Sequence, residues 1–283
     1  MTDPRSTART TSTTRFLVTA AAAATALALA ACSNAATPET GSTPSTSADS
    51  MSGELTIYAA ASLGAAFDEL AAQFEAAHPG VDVLPITYDG SSVLATQLIE
   101  GAPADVFASA DQKNLAKVDD AGLAEASVDF ATNVLEIAVA PGNPLDIDGL
   151  DDLADGATQA AGGGPATIVM CAPEVPCGSA AATLVADAGI TVTPASEEQN
   201  VTAVLTKVKA GEADAGLVYV TDVQAAGDAV EGVEIEGADA ATNVYPIAAL
   251  TGARNPEAAA AFVAFVTSEE GRKVLASFGF GAP

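Results

Sequence analysis

Apolar positions along this chain switch repeatedly between a period of two and a period near 3.6. Residues 54–59, with Leu55, Ile57 and Tyr58, predict a strand. After Ala60, Ala61 and Ser62, the residues Leu63, Phe67, Leu70 and Phe74 fall four, three and four apart, which is one face of a helix. Ser62 stands where an N-cap belongs. Strand, tight turn, serine and helix form the opening unit, and the unit recurs. Residues 81–88 predict a strand and Asp89, Gly90, Ser91 and Ser92 a turn. Leu94 and Leu98 then mark a short helix closed by Gly101. Further strands are predicted over 104–108, 133–140, 167–170 and 215–219. Helices are predicted over 178–188, 256–266 and 269–278, and after Asn200, where Val201, Val204, Leu205 and Val208 hold one face. Alternation of this kind implies a mostly parallel sheet wrapped by helices, an α/β fold.

The first 52 residues break this pattern. Arg5, Arg9 and Arg15 precede an apolar run over 16–31, shorter than the roughly 20 residues that span a bilayer. A basic start, a short apolar stretch and small residues at its end predict a secretory signal peptide over 1–32. The run closes on Leu29, Ala30, Ala31 and Cys32, similar to the bacterial lipobox, in which the cysteine becomes the lipidated first residue. A plain signal peptide cut at an Ala-x-Ala site, with Cys32 incidental, is the alternative. Residues 33–52 are almost entirely Ser, Thr, Ala, Pro, Gly, Asn and acids, too polar to offset their ordering entropy, and predict a disordered tether. Roughly 230 residues remain, enough for one large or two small α/β domains.

Charge narrows the partners. The chain has 10 Lys+Arg against 37 Asp+Glu, a formal charge of −27, and the leader holds three of those basic residues. Such a surface repels nucleic acid and anionic headgroups. It also removes long-range attraction as a means of catching an anion, so an anionic ligand would have to be held by local dipoles. No apolar stretch after the leader is long enough to span a membrane, so the lipid is the only expected anchor. Cys171 and Cys177 lie six apart, and outside the cytoplasm such a pair predicts a disulfide; two free thiols or a metal pair are the alternatives. The single histidine, His78, is distant in sequence, which disfavours zinc. His78 precedes Pro79 and Gly80 and is expected to be exposed. One histidine also leaves no Ser-His-Asp or Cys-His constellation, so no enzyme is expected. Gly162, Gly163 and Gly164 lack the Lys-Ser/Thr of a P-loop, and Asp146, Asp148, Asp151 and Asp152 lack the closing Glu of an EF-hand.

Candidate chemistry lies at four helix starts, after Ser62, Ser91, Cys177 and Asn200. In open α/β sheets, ligands bind beyond the carboxyl ends of strands. Helix N-termini expose unpaired N–H groups with a positive partial charge and hold anions. None of the four turns carries lysine or arginine. Taken singly, Ser62, Ser91 and Asn200 are ordinary caps and Tyr219 an ordinary strand tyrosine; the set is what points to an anion.

The same residues carry a family resemblance. Ala59 to Leu63 resembles the opening motif of the periplasmic molybdate-binding proteins of ABC importers. Gly90, Ser91 and Ser92, with Leu94 to Leu98, resemble the second ligand loop. Residues 101–111, with Gly101, Pro103, Asp105 and Asp111, carry the most specific match. Pro173 to Gly178 resembles the third loop, and Asn200, Val201 and Tyr219 match the last ligand positions. The similarity spans 54–283 and includes Phe278, Gly279 and Phe280 near the end. It implies a class II periplasmic-binding-protein fold: two lobes of mixed sheet flanked by helices and joined by two crossing strands. Lobe 1 would comprise 54–133 with 243–283, and lobe 2 would comprise 134–242. It further implies that Ser62 and Ser91 donate hydroxyl and N–H, Cys177 and Val201 backbone N–H, and Tyr219 its phenol. The third-loop position often holds alanine in that family and holds Cys177 here, which is harmless if only the amide is used.

The expected function is therefore capture of molybdate, and tungstate with it, by an extracytoplasmic, lipid-anchored monomer serving the permease and ATPase of an ABC importer, with no cofactor and no directly bound metal. A cage of neutral donors suits an unprotonated dianion. A protonated phosphate needs an acceptor, for which Asp89 is the nearby candidate, although it is expected to face solvent or cap its turn. Sulfate, phosphate or another oxyanion in the same fold is the first alternative, and a cell-surface sensory or interaction domain the second.

Overall fold

The computed structural model describes residues 51–283. The expected signal peptide, Cys32 and residues 33–50 of the expected tether lie outside the described residues. In chain order the elements are β1 (Gly53–Leu55), β2 (Ile57–Ala60), α1 (Gly64–Ala77), β3 (Val81–Val83), β4 (Thr87–Asp89), α2 (Ser91–Ile99), β5 (Val106–Ala108), α3 (Gln112–Asp120) and β6 (Val128–Asn133). There follow β7 (Leu135–Val139), β8 (Ile168–Cys171), α4 (Pro176–Ala188), β9 (Ser196–Glu198), α5 (Val201–Lys209), β10 (Ala215–Tyr219), α6 (Val220–Ala226) and β11 (Glu231–Val233). The chain closes with β12 (Asn243–Ala249), α7 (Pro256–Val266) and α8 (Glu269–Ser277).

Two five-stranded sheets organise the molecule, with orders β4-β2-β5-β12-β6 and β11-β7-β10-β8-β9. Both are mixed. In the first, β2 runs parallel to β4 and β5, and β12 runs antiparallel to β5 and β6. In the second, β8 runs parallel to β9 and β10, while β7 runs antiparallel to β10 and β11. The pattern announced β7 and β10 as strands but not their antiparallel pairing, and it did not announce β6 and β11. Each sheet has its own packed core, one around Leu63, Phe67, Phe74 and Phe262, the other around Ile137, Val204, Leu217 and Val218.

Two strands connect these lobes. β6 ends at Asn133 in the first sheet and β7 begins at Leu135 in the second, with Val134 alone between them. The chain returns through β12, whose Asn243 pairs with Asn133. The predicted single strand over 133–140 is thus the second half of a crossing. β12 lies inside its sheet, where proline removes a ladder hydrogen bond; Pro246 is accommodated because the register with β6 shifts between Tyr245 and Pro246.

Local breaks have local causes. The predicted strand over 54–59 divides at Thr56, whose N–H leaves the ladder and donates to Asp105 Oδ2 at 2.7 Å. The predicted strand over 81–88 divides at Pro85, ahead of β4. His78, expected at the surface, is half-buried against the Phe74 ring, with centroids 4.5 Å apart. Among the described residues, no helix is long and apolar enough to cross a membrane.

Candidate anion-binding site

The first two helix starts differ from their predicted form in a way that matters. Ser62 is not an N-cap; it lies within a 3-10 turn, Ala61–Leu63, ahead of α1. Its Oγ is 3.0 Å from the Tyr245 hydroxyl. Ser91 is the first residue of α2, and the capping position belongs to Gly90. The Ser91 Oγ instead accepts the Ala110 N–H at 2.9 Å. Neither hydroxyl is therefore spent on its own helix.

The other two starts lie in the second lobe. Cys171 and Cys177 are joined by a disulfide that ties the end of β8 to the first turn of α4. The tie is reinforced at Gly178, where an added Cβ would stand 1.9 Å from the Ala172 carbonyl oxygen, so no other residue fits that approach. Asn200 caps α5, its Oδ1 accepting the Ala203 N–H at 2.9 Å. The first N–H groups of α4 and α5 have no partner inside their helices. Tyr219 ends β10, and its own N–H donates to Asp222 Oδ2 at 3.0 Å, which fixes the strand end.

These segments converge. Ser62, Ser91, Cys177, Val201 and Tyr219 line one small cleft of about 10 Å³ between the lobes, together with Asp89, Gly90, Ala110 and Asn200. No lysine, arginine or histidine is among its lining residues. Pockets for drug-sized ligands measure roughly 300–1,000 Å³, far more than this cleft offers, so it has room for a ligand of a few atoms at most. A larger surface groove of about 710 Å³ runs along 152–168. Its walls carry the Asp152 and Asp155 carboxylates, which disfavour an anion.

Two of the side-chain hydroxyls have a hydrogen left to donate. Ser91 Oγ already accepts from the protein, so its hydrogen remains to be donated. The Tyr219 hydroxyl is fully buried and completes no hydrogen bond among the described residues. Burial pushes the Tyr219 phenol well above its ordinary value, and the neighbouring Tyr245 and the Asp222 carboxylate add to the shift, so it stays a neutral donor. An unsatisfied buried hydroxyl costs roughly 1–3 kcal/mol, and an oxyanion oxygen is the partner that would relieve it.

Sequence reasoning missed how the cleft closes. Asp89 caps its turn, as one of the two expectations had it, and also bridges the cleft. Its Oδ1 accepts the Gly90 N–H at 2.8 Å and, across the cleft, the Asn200 Nδ2 at 2.8 Å. Beside this bridge the backbone of Gly90 abuts the Gln199 carbonyl; a Cβ there would lie 2.0 Å from that oxygen. Asp89 and Asn200 are 111 residues apart, and nothing in local spacing announces such a pair.

Known proteins agree with this geometry. Residues 55–281 match the model of the family described as bacterial extracellular solute-binding protein. The molybdate-binding protein ModA of Mycobacterium tuberculosis is 44% identical over 230 residues, covering 81% of this chain and 85% of that one. ModA of Escherichia coli is 32% identical over 242 residues, covering 81% and 89%. The structure of the Azotobacter vinelandii periplasmic molybdate-binding protein superposes with a TM-score of 0.66 at 20% identity, covering 81% of this chain and 99% of that one, which shows the shared two-lobed fold. This chain belongs to the bacterial extracellular solute-binding protein family.

Proposed function

We propose that this protein captures molybdate, and tungstate equally, outside the cytoplasm and delivers it to the permease and ATPase subunits of an ABC importer. The observation that carries the reading is the donor set. Ser62, Ser91 and Tyr219 bring hydroxyls, and Cys177 and Val201 bring helix-start amides, to one cleft without a cation among its walls. A fully ionised tetrahedral dianion offers acceptors on every face and no hydrogen, so a cage made only of neutral donors fits it. The 44% identity to a molybdate-binding protein supports molybdate over other oxyanions.

The same proposal gives the chain its anatomy. The signal peptide is removed ahead of Cys32, which becomes the first residue and carries the lipid; residues 33–52 tether the fold; 54–133 with 243–283 form one lobe and 134–242 the other. The protein works as a monomer and catalyses no reaction. Its ligand is bound as an oxyanion rather than as a bare metal ion, and no group of three or more metal-binding side chains occurs among the described residues.

Calorimetric titration with molybdate, tungstate, sulfate and phosphate tests the reading. Heat from the first two alone is expected. Sulfate or phosphate binding in place of molybdate would keep the fold and overturn the substrate, and silence from all four would overturn the transport role.

A further inference from the structure

A second tyrosine stands behind the cleft. Tyr245, in the crossing strand β12, has no exposed surface, and it is not among the cleft's lining residues. Its ring is held edge-on against Phe130, Tyr219 and Phe280, with centroids 6.3, 6.0 and 5.6 Å away. Its hydroxyl lies 3.0 Å from Ser62 Oγ and 3.5 Å from Asn133 Nδ2, and the Tyr219 hydroxyl stands beside it as well.

The direction of the Asn133 bonds follows from chemistry. Asn133 Oδ1 accepts the Val134 N–H at 3.0 Å, which fixes which end of the amide is which. Its Nδ2 can only donate, and it does so to Thr221 Oγ1 at 2.8 Å as well as to Tyr245. The Tyr245 oxygen therefore receives from Asn133, and its single hydrogen is available to Ser62 Oγ, in a bond that either hydroxyl can donate. With Tyr245 as the donor, Ser62 accepts from the protein and its own hydrogen is left to point elsewhere. Ser91 reaches the same condition by accepting from the Ala110 N–H. Two unrelated supports produce the same polarity at the two serines.

We propose that Tyr245 is a positioning residue for the anion site: by donating to Ser62 Oγ, under the control of Asn133, it commits the Ser62 hydroxyl to donate to the bound oxyanion. Without that donation the Ser62 hydrogen has the Tyr245 oxygen as a competing acceptor, and Ser62 presents a lone pair to an anion it should attract. The chain of bonds also runs from Ser62 in one lobe to Thr221 in the other, two residues beyond Tyr219. The inference rests on the oxyanion reading given above and adds a residue that does not touch the ligand.

The test is a double-mutant cycle of Tyr245→Phe and Ser62→Ala, read by calorimetric titration of the protein with molybdate, with thermal unfolding of the ligand-free variants as the control. Tyr245→Phe keeps the ring and is expected to lower affinity about tenfold, a typical consequence of losing one hydrogen-bond role. In the Ser62→Ala background the same change is expected to lower it less than about twofold, because the group being oriented is gone. Replacing Tyr245 by 3-fluorotyrosine, which keeps a hydroxyl donor, is expected to restore binding, and it decides the matter should Tyr245→Phe fail to fold. Equal losses from Tyr245→Phe in both backgrounds, or weak binding by the 3-fluorotyrosine form, would overturn the inference while leaving the anion reading intact. A wild-type protein that binds no oxyanion would overturn both.

Discussion

The two lobes solve the same packing problem with different materials. The lobe built on β2, β5 and β12 fills its core with rings: Phe67, Phe74, Phe130, Tyr245, Phe262 and Phe280 are all buried there. Phe74 and Phe262 meet nearly at right angles, 86°, with centroids 5.3 Å apart, a favoured arrangement of aromatic quadrupoles. The lobe built on β7, β8 and β10 uses Val, Ile, Leu and Ala, and it adds a disulfide. Across residues 134–242 the sequence contains one aromatic side chain, Tyr219. A ring-free core that admits one tyrosine, and then leaves that hydroxyl without a protein partner, is not using the residue for packing. The difference between the lobes thus separates structure from function: in the first an aromatic is ordinary, and in the second it marks the site.

The comparison can be broken at three points. The largest effect is expected from Phe262→Ala, which removes the ring that both Phe67 and Phe74 contact. Truncating a buried phenylalanine costs about 3–5 kcal/mol. Thermal unfolding should fall by roughly ten degrees, and a shift of a degree or two would mean that the rings do not hold the first lobe together. Next is Cys171→Ala with Cys177→Ala. Opening a loop this short is expected to cost about 2 kcal/mol, read by denaturant titration, with the loss concentrated in the second lobe. Unchanged unfolding would show that aliphatic packing alone suffices there. The smallest effect on stability, and the most informative, is expected from Tyr219→Phe. Stability should hold or rise, because a buried polar atom without a partner is removed. Molybdate affinity should fall about tenfold, close to 1.4 kcal/mol. Full affinity in that variant would return Tyr219 to the role of filler.

Much of this was legible along the chain because it is local. The run from β10 falls on 215–219 as predicted, α7 falls on 256–266, and Asn200 caps α5 through its own side chain. The five candidate ligand residues reach one cleft because each sits where a strand or loop hands over to a helix, and that handover has a signature of turn residues followed by helical spacing. What was illegible depends on pairs far apart in sequence. Ser62 reads as a cap because serine before an apolar helix usually is one; its hydroxyl turns instead to Tyr245, 183 residues later. Ser91 likewise reads as a turn residue until Ala110 is seen to bond it. Asp89 reads as a solvated turn acid because its partner, Asn200, already has a complete local role as a cap. The antiparallel pairing of β6, β7 and β12 escapes for a related reason: crossing between lobes is a property of the whole chain, and no window of ten residues contains it.

The contact at Gly90 bears on how occupancy becomes visible from outside. Lobe meets lobe there with no room for a single methyl group, since a Cβ would fall 2.0 Å from the Gln199 carbonyl oxygen. A donor cage measures the anion only when its two halves register within a fraction of an ångström, and a side chain at position 90 would act as a doorstop. Such a protein would keep every hydroxyl and amide that recognises the ion and still be unable to shut around it. Full and empty forms would then share one outline, and a partner that reads outline would be blind to cargo. The absence of a side chain at this one position is therefore part of the signal, as much as any group that touches the ligand.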